Sequence, residues 1–340
     1  MWHRGGVIAS VAFRNFKALR NTSLRLAPFN LVLGPNGSGK TSLIQALLRL
    51  RTLAAISPQA AALPATLRAE GPDIRFAFSP PHDGLTARMA CVSELVCDRL
   101  EIVPAGAPGW PVLRDEIGRI RGYLFDDRAM TAPASPMDGV QLAANGGNLA
   151  GVLAAMQADH PADFAALETE MQRIAPEFTG IGFEQASSGK VSLRLRIGDR
   201  ETVAAEDLSQ GALYLLAFLA LAFGPVRPSV LCIEEIDRGI HPRLLREVRD
   251  TLYRLSYPSS FGEKRPPVQV IATTYSPYLL DLFRDHPEEV VISHKTGRVA
   301  HFERLADRAD LAEILQEGAL GDLWFSGILG GVPGEKSDRA

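Results

Sequence analysis

The stretch Gly34-Pro35-Asn36-Gly37-Ser38-Gly39-Lys40-Thr41 follows a short apolar run, Phe29 to Leu33, and precedes Leu43, Leu47, Leu50 and Ala54 at helical spacing. It fits the pattern G-x-x-x-x-G-K-[ST] in the order a phosphate-binding loop needs: strand, glycine loop, helix. Glycines let backbone N–H groups turn inward around phosphate oxygens, and the positive end of the following helix points at them. Lys40 is expected to reach the β- and γ-phosphates, and the Thr41 hydroxyl to ligate Mg²⁺. The bland alternative, a glycine-rich turn that binds nothing, needs four fixed positions and the strand-helix context to coincide by accident.

Downstream, Val230-Leu231-Cys232-Ile233 is a buried-strand pattern that runs into Glu234-Glu235. Such a strand delivers carboxylates to the edge of the sheet where ligands of α/β proteins sit. Glu234 is expected in the magnesium shell, and Glu235 to orient and deprotonate an attacking water. Taken alone the pattern also suits a core strand ending in a solvated acidic turn. Leu208-Ser209-Gln210-Gly211, ahead of the apolar stretch Ala212 to Phe223, offers a hydroxyl and exposed N–H groups at a helix start. One chain needs one phosphate cradle, so a second one suggests service to the nucleotide of another copy. Its plain alternative is a serine helix cap.

Around these motifs the chain reads as alternating strands and helices, which implies α/β architecture with a largely parallel sheet. Strands are expected at Val7 to Phe13, 24–26, 29–33, 74–78, 86–103, 230–233 and 268–273, with a hairpin across Ser187-Ser188-Gly189. Helices are expected at 210–223, 242–255 and 277–285. Pro/Gly-rich links and an excess of alanine, leucine and glutamate mark 106–180 as a helical insertion, leaving 1–105 with 181–340 as the main body. There is no internal repeat.

Of 340 residues, 46% are apolar and 22% charged, which describes a folded chain, and the net charge of −3 lacks the broad positive field of a non-specific nucleic-acid binder. Cys91, Cys97 and Cys232 are odd in number and lack Cys-x-x-Cys spacing, so neither a disulfide framework nor a zinc ribbon is expected, and a reducing compartment is the natural setting. No signal peptide is read at the N-terminus and the apolar stretch 212–223 is too short for a membrane span, so a cytoplasmic protein with no membrane partner is expected. Arg243, Arg246, Arg249 and Arg254 face away from Leu244, Leu245, Val248 and Leu252 and read as a solvated helix surface. His241 reads as a capping or loop contact, and Leu315 to Val332 either packs back on the body or docks a partner.

Together, Phe13-Arg14-Asn15-Phe16, the P-loop, Leu208-Ser209-Gln210-Gly211, Glu234-Glu235 with Ile236-Asp237-Arg238-Gly239-Ile240-His241-Pro242, and Ile271-Ala272-Thr273-Thr274-Tyr275-Ser276-Pro277 resemble the ABC-type ATPase heads of the SMC, RecF and OLD group, in particular small bacterial AAA family ATPases. The resemblance covers both ends of the chain and only loosely residues 56–180. It implies a P-loop NTPase fold, ATP with Mg²⁺, a nucleotide site completed by Ser209, Gly211 and the D-loop Asp237, and head-to-head dimerisation on ATP with hydrolysis reopening the pair.

Departures from the family pattern bear on function. Tyr275 stands where members usually carry a histidine contacting the γ-phosphate and attacking water, and Glu234 replaces a common aspartate. Gln141 is a candidate Q-loop glutamine, with a solvated loop glutamine as the alternative. About 170 residues separate Lys40 from Ser209, too few for SMC-type coiled-coil arms, and an OLD-type nuclease domain is not expected after the Tyr275 motif. With no second cluster of reactive side chains, the expected function is a slow ATPase switch that dimerises on ATP and regulates a separately encoded effector, as in bacterial defence. The alternatives are a RecF-like DNA-repair or chromosome-associated ATPase, which a basic groove would support, and a non-hydrolysing ATP-binding scaffold.

Overall fold

The computed structural model describes residues 6–56, 71–186, 189–198 and 201–330. In chain order its strands are β1 (Ile8–Phe16), β2 (Leu19–Arg25), β3 (Phe29–Leu33), β4 (Asp73–Phe78), β5 (Thr86–Cys91), β6 (Cys97–Val103), β7 (Arg121–Tyr123), β8 (Phe178–Gln185), β9 (Val191–Ile197), β10 (Glu201–Ala204), β11 (Val230–Ile233), β12 (Gln269–Thr274), β13 (Val290–Thr296) and β14 (Val299–Arg304). Helix α1 (Lys40–Ala55) follows β3. The chain divides into two compact units: the first takes residues up to Gly122, Ser229–Ile236 and from Arg265 onward, the second Tyr123–Pro228 and Asp237–Lys264.

The first unit holds an 11-stranded sheet in the order β6-β5-β4-β1-β2-β14-β13-β3-β12-β11-β7. Strands β13, β3, β12 and β11 run parallel, each neighbour being reached by a long crossover. The wing β2-β1-β4-β5-β6 is antiparallel, as is the β13-β14 hairpin. The parallel character expected from strand-helix alternation thus belongs to the strands around β3, and the sheet as a whole is mixed. Gln269, buried at the start of β12, accepts from Ile8 N (3.0 Å) and donates to Ile8 O (2.9 Å) and Ala27 O (3.1 Å). Because β1 and β12 are five places apart in the strand order, these bonds require the sheet to curl. Inside the curl, Leu43, Ile44, Leu47 and Leu50 of α1 share one core with Val11, Phe13, Phe76 and Met89 of the antiparallel wing and with Val32, Cys232 and Ile271 of the parallel strands.

The second unit carries a three-stranded antiparallel sheet, β10-β9-β8, and four helices of eleven residues or more: Leu149–Asp159, Pro161–Ile174, Gln210–Phe223 and Pro242–Ser256. The β8-β9 hairpin pairs as the alternation implied, although its turn residues Ser187 and Ser188 lie outside the described residues. Helix Gln210–Phe223 is apolar on all sides and every residue from Leu213 to Ala222 is buried. Helix Pro242–Ser256 buries Leu245, Val248, Leu252 and Leu255. On its other face Arg249 pairs with Asp250 at 2.6 Å and Arg254 with Glu263 at 3.1 Å, which consumes two charges of the arginine stripe. The division differs from an insertion at 106–180. Residues Trp110–Gly118 stay in the first unit, where Leu113 and Ile117 join the α1 core, whereas β8 to β10 and the two later helices pack into the second.

After β14, helices Leu311–Glu317 and Leu320–Phe325 return to helix Pro277–Asp281. Gly321 N donates to Asp281 Oδ1 at 2.7 Å, and a Cβ on Gly321 would lie 2.6 Å from Pro277 O. Trp324 and Leu329 are buried, so residues 315–330 pack back on their own unit; Gly331 and Val332 lie outside the described residues. No helix among the described residues is long and apolar enough to cross a membrane.

One expectation is overturned. Cys91 and Cys97 are joined by a disulfide, where cysteine count and spacing argued against any. The cause is register: antiparallel pairing of β5 with β6 sets the two residues opposite each other across a hairpin. The cysteine support for a reducing compartment therefore falls away. Cys232 is fully buried, and burial pushes its thiol up to about 12. Thiol titration of denatured protein purified without reductant is expected to find one free thiol per chain, rising to three after reduction; three before reduction would contradict the bond.

Candidate functional site

The site begins where β3, all five of whose residues are buried, runs out into the loop. Gly37 (φ +72°) and Gly39 (φ +100°) take left-handed backbone conformations that favour glycine. Gly34 has no room for a side chain, since a Cβ there would lie 2.5 Å from Ser293 O. Helix α1 starts at Lys40 with no side-chain cap, so its first N–H groups are left to the loop and to whatever binds there. Lys40 is 6% exposed, and its ammonium donates to Gly34 O at 2.6 Å and Pro35 O at 3.0 Å. It lies 4.2 Å from the centre of the Tyr275 ring, within cation-π range. Burial pulls its pKa down to about 8, against the opposing pull of the Glu235 and Glu234 carboxylates.

Strands β11 and β12 run parallel in register from Val230↔Gln269 to Ile233↔Ala272, so both end beside β3 at one edge. There Thr41 Oγ1 donates to Glu234 Oε2 at 2.8 Å. Glu235 follows in a left-handed conformation (φ +52°) that costs a non-glycine residue about 1–3 kcal/mol. Thr273 on β12 holds it: Glu235 N donates to Thr273 Oγ1 and Ile236 N to Thr273 O, both at 3.0 Å. Two residues on, the Tyr275 hydroxyl donates to Asn36 Oδ1 at 2.7 Å. Lys40, Thr41, Glu234, Glu235, Tyr275 and the loop from Gly34 to Gly39 therefore converge within the first unit.

Ser209, Gly211 and Asp237 belong to the second unit. Ser209 is exposed and caps helix Gln210–Phe223, its Oγ accepting from Ala212 N at 3.2 Å, which is the plain role weighed for it. Gly211 lies against Gly239, whose carbonyl would sit 3.2 Å from an added Cβ, and Gly239 (φ +65°) in turn packs on the Gln210 side chain. The segments around Gly211 and Gly239 are thus built onto each other. His241 caps the next helix, accepting from Arg243 N at 3.2 Å. Gln141 belongs to the second unit too, and its carbonyl accepts from Asn148 Nδ2 at 3.0 Å.

Sequence reasoning gave Thr273 no role of its own within its motif and missed Ser293 and Lys295. Ser293 donates through its hydroxyl to Ser38 O, and the Lys295 ammonium lies 2.9 Å from the Cβ position of Gly37. The β-rich run Val290 to Ile292 was the available signal for β13, but nothing local says which strand it joins. The residues present suit a polyphosphate with a divalent cation. Ser38 Oγ is buried with no hydrogen-bond partner among the described residues, Lys40 is held at the helix start, and Thr41 with Glu234 supplies the hard oxygen donors that Mg²⁺ takes.

An α/β fold with a glycine loop between β3 and α1 and acids at the end of β11 is the fold of a P-loop ATPase head of the ABC type. Residues 91–281 match the family described as "AAA domain, putative AbiEii toxin, Type IV TA system", and the chain belongs to that family. Residues 7–70 match the AAA ATPase domain. Among solved structures, the chain is similar to an SMC head bound to the C-winged helix domain of ScpA, at 15% identity and TM-score 0.56, covering 87% of this chain and 97% of that one. It is also similar to an SMC head with an extended coiled coil bound to the C-terminal domain of ScpA derived from Pyrococcus furiosus, at 13% identity and TM-score 0.55, covering 92% and 99%. No curated protein matches the sequence.

The field at Lys40 makes a nucleotide-independent prediction. In the free protein Lys40 is expected to titrate near pH 8, and Glu235→Gln to move the midpoint down, because removing a carboxylate removes stabilisation of the ammonium. Side-chain ¹⁵N NMR checks both; a midpoint near 10.5, unmoved by Glu235→Gln, would contradict the buried geometry.

Proposed function

We propose that this chain is an ATPase switch: it binds ATP with Mg²⁺ at the P-loop, closes head-to-head with a second copy, and reopens on hydrolysis. The observation that carries the reading is the convergence of a buried lysine, a Thr41-Glu234 pair and the strained Glu235 on one glycine loop. Lys40 binds the β- and γ-phosphates when they displace its hold on Gly34 O and Pro35 O. Thr41 and Glu234 hold the Mg²⁺, which when bound offsets phosphate charge. Glu235 orients the attacking water and takes its proton, with Thr273 fixing the carboxylate's backbone. Ser209, Gly211 and Asp237 serve the nucleotide of the partner copy. The exposed Ser209 hydroxyl and the close Gly211-Gly239 contact support that role, since both keep the motif small and polar at its surface.

The closed dimer is proposed to control a separately encoded effector. The family description supports a place in toxin-antitoxin or defence systems. The SMC heads of similar fold are each described as bound to a domain of a separate protein, and a head working through a separate chain is the arrangement proposed here. Tyr275 favours slow turnover, and it keeps a non-hydrolysing scaffold as the second reading. Its hydroxyl is spent on Asn36 and its ring on Lys40, and it offers no imidazole to the terminal phosphate or the attacking water.

Three variants test these roles. Lys40→Ala is expected to weaken ATP binding by about 100-fold or more in a folded protein. Glu235→Gln is expected to keep binding and to lower an already slow turnover by about 10²–10⁴-fold; wild-type turnover in Glu235→Gln would remove the general base, and no turnover in wild type would leave the scaffold. Ser209→Arg is expected to bind ATP as a monomer and fail to form the ATP-dependent dimer in light scattering. Normal dimerisation and hydrolysis in that variant would reduce Ser209 to a helix cap.

A further inference from the structure

Strand β13 lies parallel beside β3, with Val290↔Leu31, Val291↔Val32 and Ile292↔Leu33 in register. Where β3 ends and the glycine loop begins, β13 continues as Ser293, His294 and Lys295. Strand alternation puts Ser293 and Lys295 on one side and His294 on the other. On the first side, the Ser293 carbonyl closes on Gly34, its hydroxyl donates to Ser38 O, and the Lys295 ammonium rests 2.9 Å from the Cβ position of Gly37. On the other, His294 stacks on His301 at 4.9 Å and bonds to Glu303 at 2.8 Å. Lys295 is thus directed at the loop by its strand, and it is exposed, with no acidic or hydrogen-bonding partner among the described residues.

Charge and position decide what this side chain can do. Within the loop, Asn36 and Gly37 are exposed while Gly34, Pro35, Ser38, Gly39 and Lys40 are buried, so the mouth opens at the Asn36-Gly37 tip. The start of α1 draws the inner phosphates and Lys40 the β- and γ-phosphates, so the terminal phosphate of a bound triphosphate is the one nearest the open tip. Against the polyphosphate stand one ammonium, Lys40, and two carboxylates, Glu234 and Glu235, a poor charge balance even with a bound divalent cation. A second ammonium at the tip corrects it.

We propose that Lys295 is a second phosphate-binding cation of this loop, pairing with the terminal phosphate of the bound nucleoside triphosphate and thereby distinguishing triphosphate from diphosphate. The proposal rests on the reading that the P-loop binds ATP. A phosphate arriving at the tip finds the Lys295 head already delivered by β13 and free of any competing carboxylate. Because Ser293 ties the same strand to Ser38, the lysine is carried on the element that sets the shape of the loop.

The test is calorimetric titration of the full chain with MgATP and MgADP, using Lys295→Met, which keeps an unbranched apolar stem on Gly37 without the charge, and Lys295→Arg, which keeps the charge. Lys295→Met is expected to lose about tenfold or more in ATP affinity while ADP affinity stays within about twofold, and Lys295→Arg to recover most of the loss. Equal affinities for both nucleotides in wild type and Lys295→Met, with Lys40→Ala still defective, would overturn the role of Lys295 and leave the P-loop reading standing. Equal loss for ATP and ADP would overturn the terminal-phosphate assignment. Failure of the wild type to bind either nucleotide would instead fell the P-loop reading, and this proposal with it.

Discussion

A buried ammonium group is the constraint on which the nucleotide site depends. Taking Lys40 out of water is costly, and the cost is visible in a pKa drawn down to about 8. The fold offsets it with two loop carbonyls at hydrogen-bond distance, an aromatic face, and the fields of Glu235 and Glu234. Each of those compensations comes from a different strand end. They meet only because β3, β12 and β11 are parallel neighbours that finish along one edge. Parallel order here is therefore an electrostatic requirement as well as a packing solution.

The strained turn at Glu235 fits the same logic. A left-handed glutamate is unfavourable by itself, and Thr273 of the adjacent strand holds it through both side chain and backbone. Strain kept in place by a rigid neighbour is a way to aim one carboxylate reproducibly. Helix α1 needs comparable restraint, because its N-terminus is the anion end of the site. It is gripped from two sides by one continuous core, the parallel strands beneath it and the antiparallel wing curled over it, with Gln269 joining β12 to β1. Strand β13 completes the support by tying Ser293 to Ser38 within the loop.

The second unit is organised around helix Gln210–Phe223, whose sides are nearly all buried, so its start is the part that solvent reaches. Ser209 caps that start, and Gly211 and Gly239 pack closely, a Cβ on Gly211 lying 3.2 Å from Gly239 O. On the proposed reading this gives the partner's phosphates a small, rigid, donor-rich surface. The arginine face of helix Pro242–Ser256 is partly neutralised by Asp250 and Glu263.

What was legible in the sequence is local: the glycine loop between an apolar run and a helical pattern, the strand ending in two acids, the serine and glycine opening an apolar helix. These depend on chain geometry over a few residues, where glycine, charge and periodicity act directly. The α/β class followed from their alternation. What the sequence alone could not settle is non-local. Whether Cys91 meets Cys97 depends on hairpin register. That β13 lies beside β3, bringing Ser293 and Lys295 to the loop, depends on a pairing between segments about 260 residues apart, for which no local signal exists. The division into two units likewise followed packing and not composition. Sequence determined which groups this chain can present to a phosphate, because backbone freedom and side-chain chemistry are properties of residues. Only the tertiary structure decided which groups stand together and what it costs to bury them, because strand order and desolvation are properties of the assembled sheet.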